Sequence, residues 1–196
     1  SSEFANKIFG ISLRLIKEDT IGQFTFPYDS STATTVEFRM RGNGDIIIEW
    51  GDGVSESYTL SPTVTTNYTH TYTGTSGTKN INIVNSKYVT LLTDNESGGD
   101  NKYKWNLVDI DKFRNLTRFI HVQSGHTDSG SITNLINLTS LFWTGSNTGS
   151  GNITNLVNLT YLNWQGNNTG SGSITNLTNL TYLAWTGNNT GSGSIT

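Results

Sequence analysis

The feature that most constrains this chain is a repeat. Leu135-Ile136-Asn137-Leu138-Thr139-Ser140-Leu141-Phe142-Trp143 returns as Leu156-Val157-Asn158-Leu159-Thr160-Tyr161-Leu162-Asn163-Trp164, and again as Leu177-Thr178-Asn179-Leu180-Thr181-Tyr182-Leu183-Ala184-Trp185. The step is 21 both times (156 − 135 and 177 − 156). Glycines keep the same step, at Gly145, Gly166 and Gly187 and at Gly151, Gly172 and Gly193. A degenerate earlier copy runs from Phe113 to His121, offset by 22 (137 − 115), which places one inserted residue near Asp128. A unit of about 21 residues cannot enclose its own apolar side, whereas stacked units share a continuous core. The repeat therefore predicts a solenoid with Leu, Ile and Trp ladders inside.

Composition changes where the regular repeat begins. Every Lys, Arg, Asp, Glu and His lies at or before Asp128, and no ionisable side chain follows. Two units are expected, at 1–104 and 105–196. A Ser/Thr/Asn/Gly linker would share this composition, but a linker does not place Leu, Ile and Trp at fixed steps. Asn-x-Thr triplets such as Asn158-Leu159-Thr160 match glycosylation sequons; at this spacing they read as ladders stacked between coils.

The pattern L-x-x-L-x-x-L-x-W-x-x-N resembles the leucine-rich repeat. That resemblance implies an asparagine ladder at Asn167 and Asn188, with Ser146 departing from it, and a concave sheet that meets ligands. Strand alternation sends Leu162 and Trp164 inward and Tyr161, Asn163 and Gln165 outward. The outward set, candidate binding residues, is Phe142, Thr144, Tyr161, Asn163, Gln165, Tyr182 and Thr186, with Ser140 and Ala184 between them. Exposed rings and amides suit a glycan; Tyr161 and Tyr182 could equally stack on one another as a cross-strand pair. The Thr169-Gly170-Ser171-Gly172 stretches predict a thin, irregular convex side without helices.

The first half reads as short strands at 8–16, 23–27, 35–41, 45–50, 67–72 and 79–84, separated by Gly-, Asn-, Asp- and Ser-rich turns, the pattern of a β-sandwich. Trp50-Gly51-Asp52-Gly53, then His70-Thr71-Tyr72, then Gly77 through Ile83 resemble the polycystic-kidney-disease (PKD) type of immunoglobulin-like module, with Lys79 where that family has Tyr. The resemblance implies structural roles for Trp50, Asp52, His70 and Tyr72. Such a module followed by leucine-rich coils resembles bacterial surface proteins of the Bacteroidetes type and phage tail fibres. The fold class is thus mainly β, an immunoglobulin-like sandwich leading into a leucine-rich β-solenoid.

The parts of an enzyme are sparse. The histidines are His70, His121 and His126. His70 belongs to the His-Thr-Tyr motif, and His121 occupies the slot that Trp143, Trp164 and Trp185 fill later. No nucleophile elbow, P-loop or zincin motif occurs. His126 with Asp128 is too small a set for a metal, Asp94, Glu96 and Asp100 match no defined calcium loop, and Asp109 with Asp111 reads as a solvated rim. No catalytic residue, metal or cofactor is expected. The net charge of −3 gives no footprint for nucleic acid, no apolar run is long enough to insert in a membrane, and there is no Cys.

The expectation is a non-enzymatic extracellular protein, on a bacterial surface or a phage virion, that binds a surface glycan or protein. The alternative is a filament subunit, with further copies of itself as partners; an accessory module of a carbohydrate-active enzyme is the third reading. The chain starts Ser1-Ser2-Glu3-Phe4, which leaves a processed end and an incomplete start open. It stops in mid-coil, so Leu180, Leu183, Trp185 and Ile195 are expected to be covered by further repeats or by another subunit.

Overall fold

The computed structural model describes residues 22–31, 34–74, 76–93, 110–122, 130–145 and 149–193. The expected strand at 8–16, and Asp94, Glu96, Asp100, Asp109, His126, Asp128, Ser146 and Ile195, lie outside the described residues.

Strands β1 (Phe24–Asp29), β2 (Thr35–Gly42), β3 (Gly44–Glu49), β4 (Ser55–Leu60), β5 (Thr66–Thr71), β6 (Thr78–Val84) and β7 (Val89–Thr93) build the first half. Alternation in β1, β2 and β3 buries every second residue. A four-stranded sheet in the order β1-β6-β3-β4 faces the trio β5-β2-β7. Rings close the space between them: Phe26 meets Phe38 at 5.7 Å and Phe38 meets Trp50 at 5.8 Å between centroids.

The second half contributes β8 (Arg118–His121), β9 (Ser140–Trp143), β11 (Tyr161–Trp164) and β13 (Tyr182–Trp185), with β10 (Ser150–Asn152), β12 (Thr169–Ser173) and β14 (Thr190–Ser192) opposite them. Between these strands the chain turns every third residue. Leu156 N–H donates to Ile153 O at 2.9 Å and Leu159 N–H to Leu156 O at 3.0 Å. Three residues per turn return Ile153, Leu156 and Leu159 to the same inward side, where all three are fully buried. The coil is thus written in the Ile-x-x-Leu-x-x-Leu-x-x-Leu spacing. The step between neighbouring coils is 21, as Tyr161 pairs with Tyr182 and Ser140 with Tyr161 in parallel register.

Two sequence expectations change. The Gly-Ser stretches are not irregular: they form a second, three-stranded parallel sheet in the order β10-β12-β14. The reason lies across the coil. A Cβ on Gly170 would stand 2.5 Å from the Trp164 ring, and one on Gly149 2.7 Å from the Trp143 ring. The indole occupies the volume that a side chain on the opposite strand would need. The asparagine ladder is also shifted by one residue. Asn167 and Asn188 are exposed, while Asn168 Oδ1 accepts from Gly149 N–H at 2.9 Å and its Nδ2 donates to Gln165 O at 2.7 Å. Asn189 repeats this, accepting from Gly170 N–H and donating to Thr186 O, both at 2.7 Å.

The two halves share one sheet. Its order is β13-β11-β9-β8-β7-β2-β5. β7 pairs antiparallel with β2 and parallel with β8, so Leu91 stands opposite both Arg41 and Arg118. Phe24 of β1 packs on Phe113 of the first coil at 4.4 Å. The side-chain ladders also begin on β7 and its approach: Asn115 donates to Lys87 O and Thr117 to Thr90 O. They continue coil by coil through Asn137, Asn158 and Asn179 and through Thr139, Thr160 and Thr181. The sequon asparagine Asn158 thus spends its amide on Ile136 O, 3.0 Å away.

Candidate functional site

The long sheet has one face packed into the hydrophobic core and an opposite, outward face, on which Leu91, Thr93 and Ile120 are nevertheless buried. Register identifies the outward rows, because residues directly opposite share a face. One row runs Arg41, Leu91, Arg118, Ser140, Tyr161, Tyr182, and the next runs Arg39, Thr93, Ile120, Phe142, Asn163, Ala184. The inward rows hold Phe119, Leu141 and Leu162 and, beside them, His121, Trp143 and Trp164, all fully buried. His121 occupies the Trp slot in register with Trp143.

On the outward face an open groove of about 770 Å³ is lined by Arg118, Ile120, Val122, Ser140, Phe142 and Tyr161, with Thr160 at its edge. Among the described lining residues it carries one cationic side chain and no carboxylate. β8 and β9 place four of these residues as a two-by-two lattice, Arg118 beside Ser140 and Ile120 beside Phe142. The rings stack along the sheet: Tyr161 lies on Tyr182 at 4.3 Å and 6°, and Phe142 is nearly parallel to Tyr161 at 6.0 Å.

Of the sequence candidates, Phe142 and Tyr161 line the groove. Thr144, Gln165, Tyr182 and Thr186 lie along the solenoid beyond it, half-buried or exposed. Asn163 departs from expectation. It stands in the outward row but is only 6% exposed, set between Phe142 and Ala184 on the neighbouring strands. Sequence reasoning misses Arg118, Ile120 and Val122, because the first coil is a degenerate copy in which the outward positions do not match those of the later coils. Aligning Arg118 with Tyr161 by the repeat would have placed it on the same face.

At the far end, Leu180, Leu183 and Trp185 are half-buried. Leu183 and Trp185, with Ile174 and Gly191, line a smaller recess of about 220 Å³.

The Trp50–Tyr72 motif residues converge on the β3–β4 turn. Asp52 Oδ2 lies 2.8 Å from His70 Nε2, and its Oδ1 accepts from Val54 N–H at 3.1 Å. Trp50 stacks on His70 at 4.9 Å and donates its indole N–H to Glu56 at 2.7 Å. Tyr72 donates its hydroxyl to Trp50 O at 2.8 Å. Lys79, in the place of the resembled family's Tyr, sets its ammonium 5.8 Å over the Tyr72 ring. Desolvation opposes the charge on Asp52, but the bonds from His70 and Val54 outweigh it and hold the carboxyl below its ordinary value. The Tyr58 and Trp50 donors hold Glu56 low. Burial, aided by Glu56, pushes the Tyr58 hydroxyl up to about 12; Tyr72 is raised mainly by burial. Every partner in this cluster is intramolecular, and it clamps a turn.

Among the described residues no three His, Cys, Asp or Glu side chains group as metal ligands. Among the described residues no helix is long and apolar enough to cross a membrane. Comparison with protein-family models, curated proteins and solved structures finds no match.

Proposed function

We propose that this chain is a non-enzymatic extracellular recognition protein, an adhesin or receptor-binding fibre of a bacterial surface or phage virion. Its ligand seats on the outward face of the long sheet. The observation that carries this reading is the groove bounded by Arg118, Ile120, Phe142 and Tyr161. Aromatic and aliphatic surface beside a few polar groups is the composition of binding sites. It stands on a strand lattice that fixes each side chain, which suits recognition better than a mobile loop does. The PKD-like motif and the leucine-rich pattern support the same reading by resemblance.

The test is binding of the labelled protein to a glycan array and to bacterial cells, beside Phe142→Ala, Tyr161→Ala and, as a control elsewhere, Ile136→Ala. Ile136 is 53% exposed and outside the groove. Loss of binding in the first two variants alone supports the proposal. Binding that survives both substitutions overturns it.

A second reading is a filament subunit joined end to end. The surface it would use is the apolar ladder of β13, where Leu183 and Trp185 are half-buried. Further coils would cover the same surface equally well. A repeating fibre in micrographs, abolished by Leu183→Glu, would support the subunit reading.

A further inference from the structure

We propose that the groove takes an anionic glycan, one whose pyranose rings carry carboxylates, with Arg118 as the carboxylate-binding residue. This rests on the recognition reading above and narrows it to a ligand class.

The argument begins with charge. Arg118 is exposed at the groove and is the charged side chain among its described lining residues. Nothing on β9, β11 or β13 can oppose it, because no Asp or Glu follows Asp128. Arg41 stands in the same outward row, two strands away, and its Nε is buried without an acceptor among the described residues. Among the described residues this face holds Arg39, Arg41 and Arg118, with Glu37 beyond them on β2. A guanidinium presents a planar fork that matches a carboxylate through two parallel hydrogen bonds.

Shape and polarity set the rest of the class. Ile120 and Phe142 lie side by side next to Arg118 and Ser140. An apolar strip thus borders a strip of donors, as a pyranose borders its apolar face with hydroxyls and a carboxylate. Tyr161 is committed on one side to Tyr182, at 4.3 Å, so Phe142 is the terminal ring of the stack toward β8. The hydroxyls of Ser140 and Tyr161 offer both donor and acceptor capacity for sugar hydroxyls. Nucleic acid binding draws its affinity from many phosphates neutralised by Lys and Arg, and one exposed guanidinium supplies little of that. A saccharide with isolated carboxylates fits one Arg beside a ring.

The experiment uses the full chain and a matched pair of probes, tetragalacturonic acid and its methyl ester, measured by calorimetry. The two share apolar faces and hydroxyls and differ in charge. The acid is expected to bind about tenfold or more tightly, the effect of one charge-assisted bidentate contact. Arg118→Gln should erase that preference, bringing the affinity for the acid down to that for the ester. Because Arg118 is exposed, this variant keeps the fold, which a melting curve checks. Phe142→Ala should weaken both probes. Equal affinity for acid and ester overturns the anionic class and leaves the recognition reading standing. Binding of neither probe overturns the proposal, as does Arg118-dependent capture of an oligothymidylate without binding of the acid. The recognition reading fails separately, if cell binding survives both Phe142→Ala and Tyr161→Ala.

Discussion

At the scale of single residues, the solenoid rests on a complementarity that runs across each coil. Trp143, Trp164 and Trp185 stack at 6.3 and 6.4 Å between neighbours, and each ring reaches the glycine six positions later, Gly149, Gly170 or Gly191. The glycine is required for space: Gly170 has no left-handed backbone angle, yet its Cβ would strike the Trp164 ring. Gly170→Ala is therefore expected to destabilise by about 1–3 kcal/mol, the usual result of overpacking. Trp164→Phe removes the ring atoms in the way, together with an indole N–H that is buried without an acceptor among the described residues. In the double variant the alanine should cost less than it does alone, which a double-mutant cycle in urea measures; strict additivity would refute the pairing. A second residue-scale expectation separates the Asn doublet. Asn168→Ala strips partners from Gly149 N–H and Gln165 O and should cost about 1–3 kcal/mol. Asn167→Ala, on an exposed side chain, should stay within about 0.5 kcal/mol. The sequence repeats both asparagines with the same period, so periodicity cannot say which one turns inward. That depends on the turn after Gly166, whose positive φ of 96° sets the direction of the next side chains.

At the scale of elements, legibility followed burial. β1, β2, β3, β5 and β6 were readable because alternation or β-rich composition marks a half-buried strand. β4 was missed because its burial pattern is nearly all exposed: it is the edge of its sheet, so only Leu60 is apolar and buried. β7 was missed for the opposite reason. Its residues are buried almost throughout, which leaves no alternation to detect. The turn between β3 and β4 was legible from Trp50-Gly51-Asp52-Gly53, and its chemistry gives a pH dependence. Asp52 and Glu56 both titrate below ordinary values of 3.8 and 4.5 in the folded chain. A carboxyl with a depressed folded value stabilises the fold above its unfolded value, and the contribution disappears as pH falls through the folded value. The urea midpoint should therefore fall as pH is lowered from about 5 to about 3. Asp52→Asn and Glu56→Gln should each lower the midpoint at neutral pH and flatten its descent. Descents parallel to the parent's would show that other carboxyls control acid stability.

At the scale of the whole molecule, the joint between sandwich and solenoid was the least legible feature, although both parts were readable. Composition changes at Asp128, but the sheet does not stop there: β7 hands its register from Arg41 on one side to Arg118 on the other. The β7–β8 pairing is parallel and joins residues 27 apart (118 − 91), so no local turn announces it. It also explains how the solenoid begins. A first coil needs a partner to cover its apolar end, and Phe24 and Phe113 meet there at 4.4 Å inside one buried cluster that runs from Phe24 to Leu177. The proposed groove sits one strand beyond this joint, so its rigidity depends on the sandwich as well as on the coils. A shared sheet and core predict shared unfolding, whereas two independent units would melt separately. Native-state hydrogen exchange measures this directly. The most protected amides of β3 and β6 in the sandwich and of β9 in the solenoid should open with the same free energy and respond to urea with the same slope. β13, at the end of the stack, should open more easily. Phe113→Ala lies at the joint, and loss of a buried Phe costs about 3–5 kcal/mol. It should lower protection in β3 and β9 together, and a drop confined to β9 would mean that the sandwich folds without regard to the solenoid.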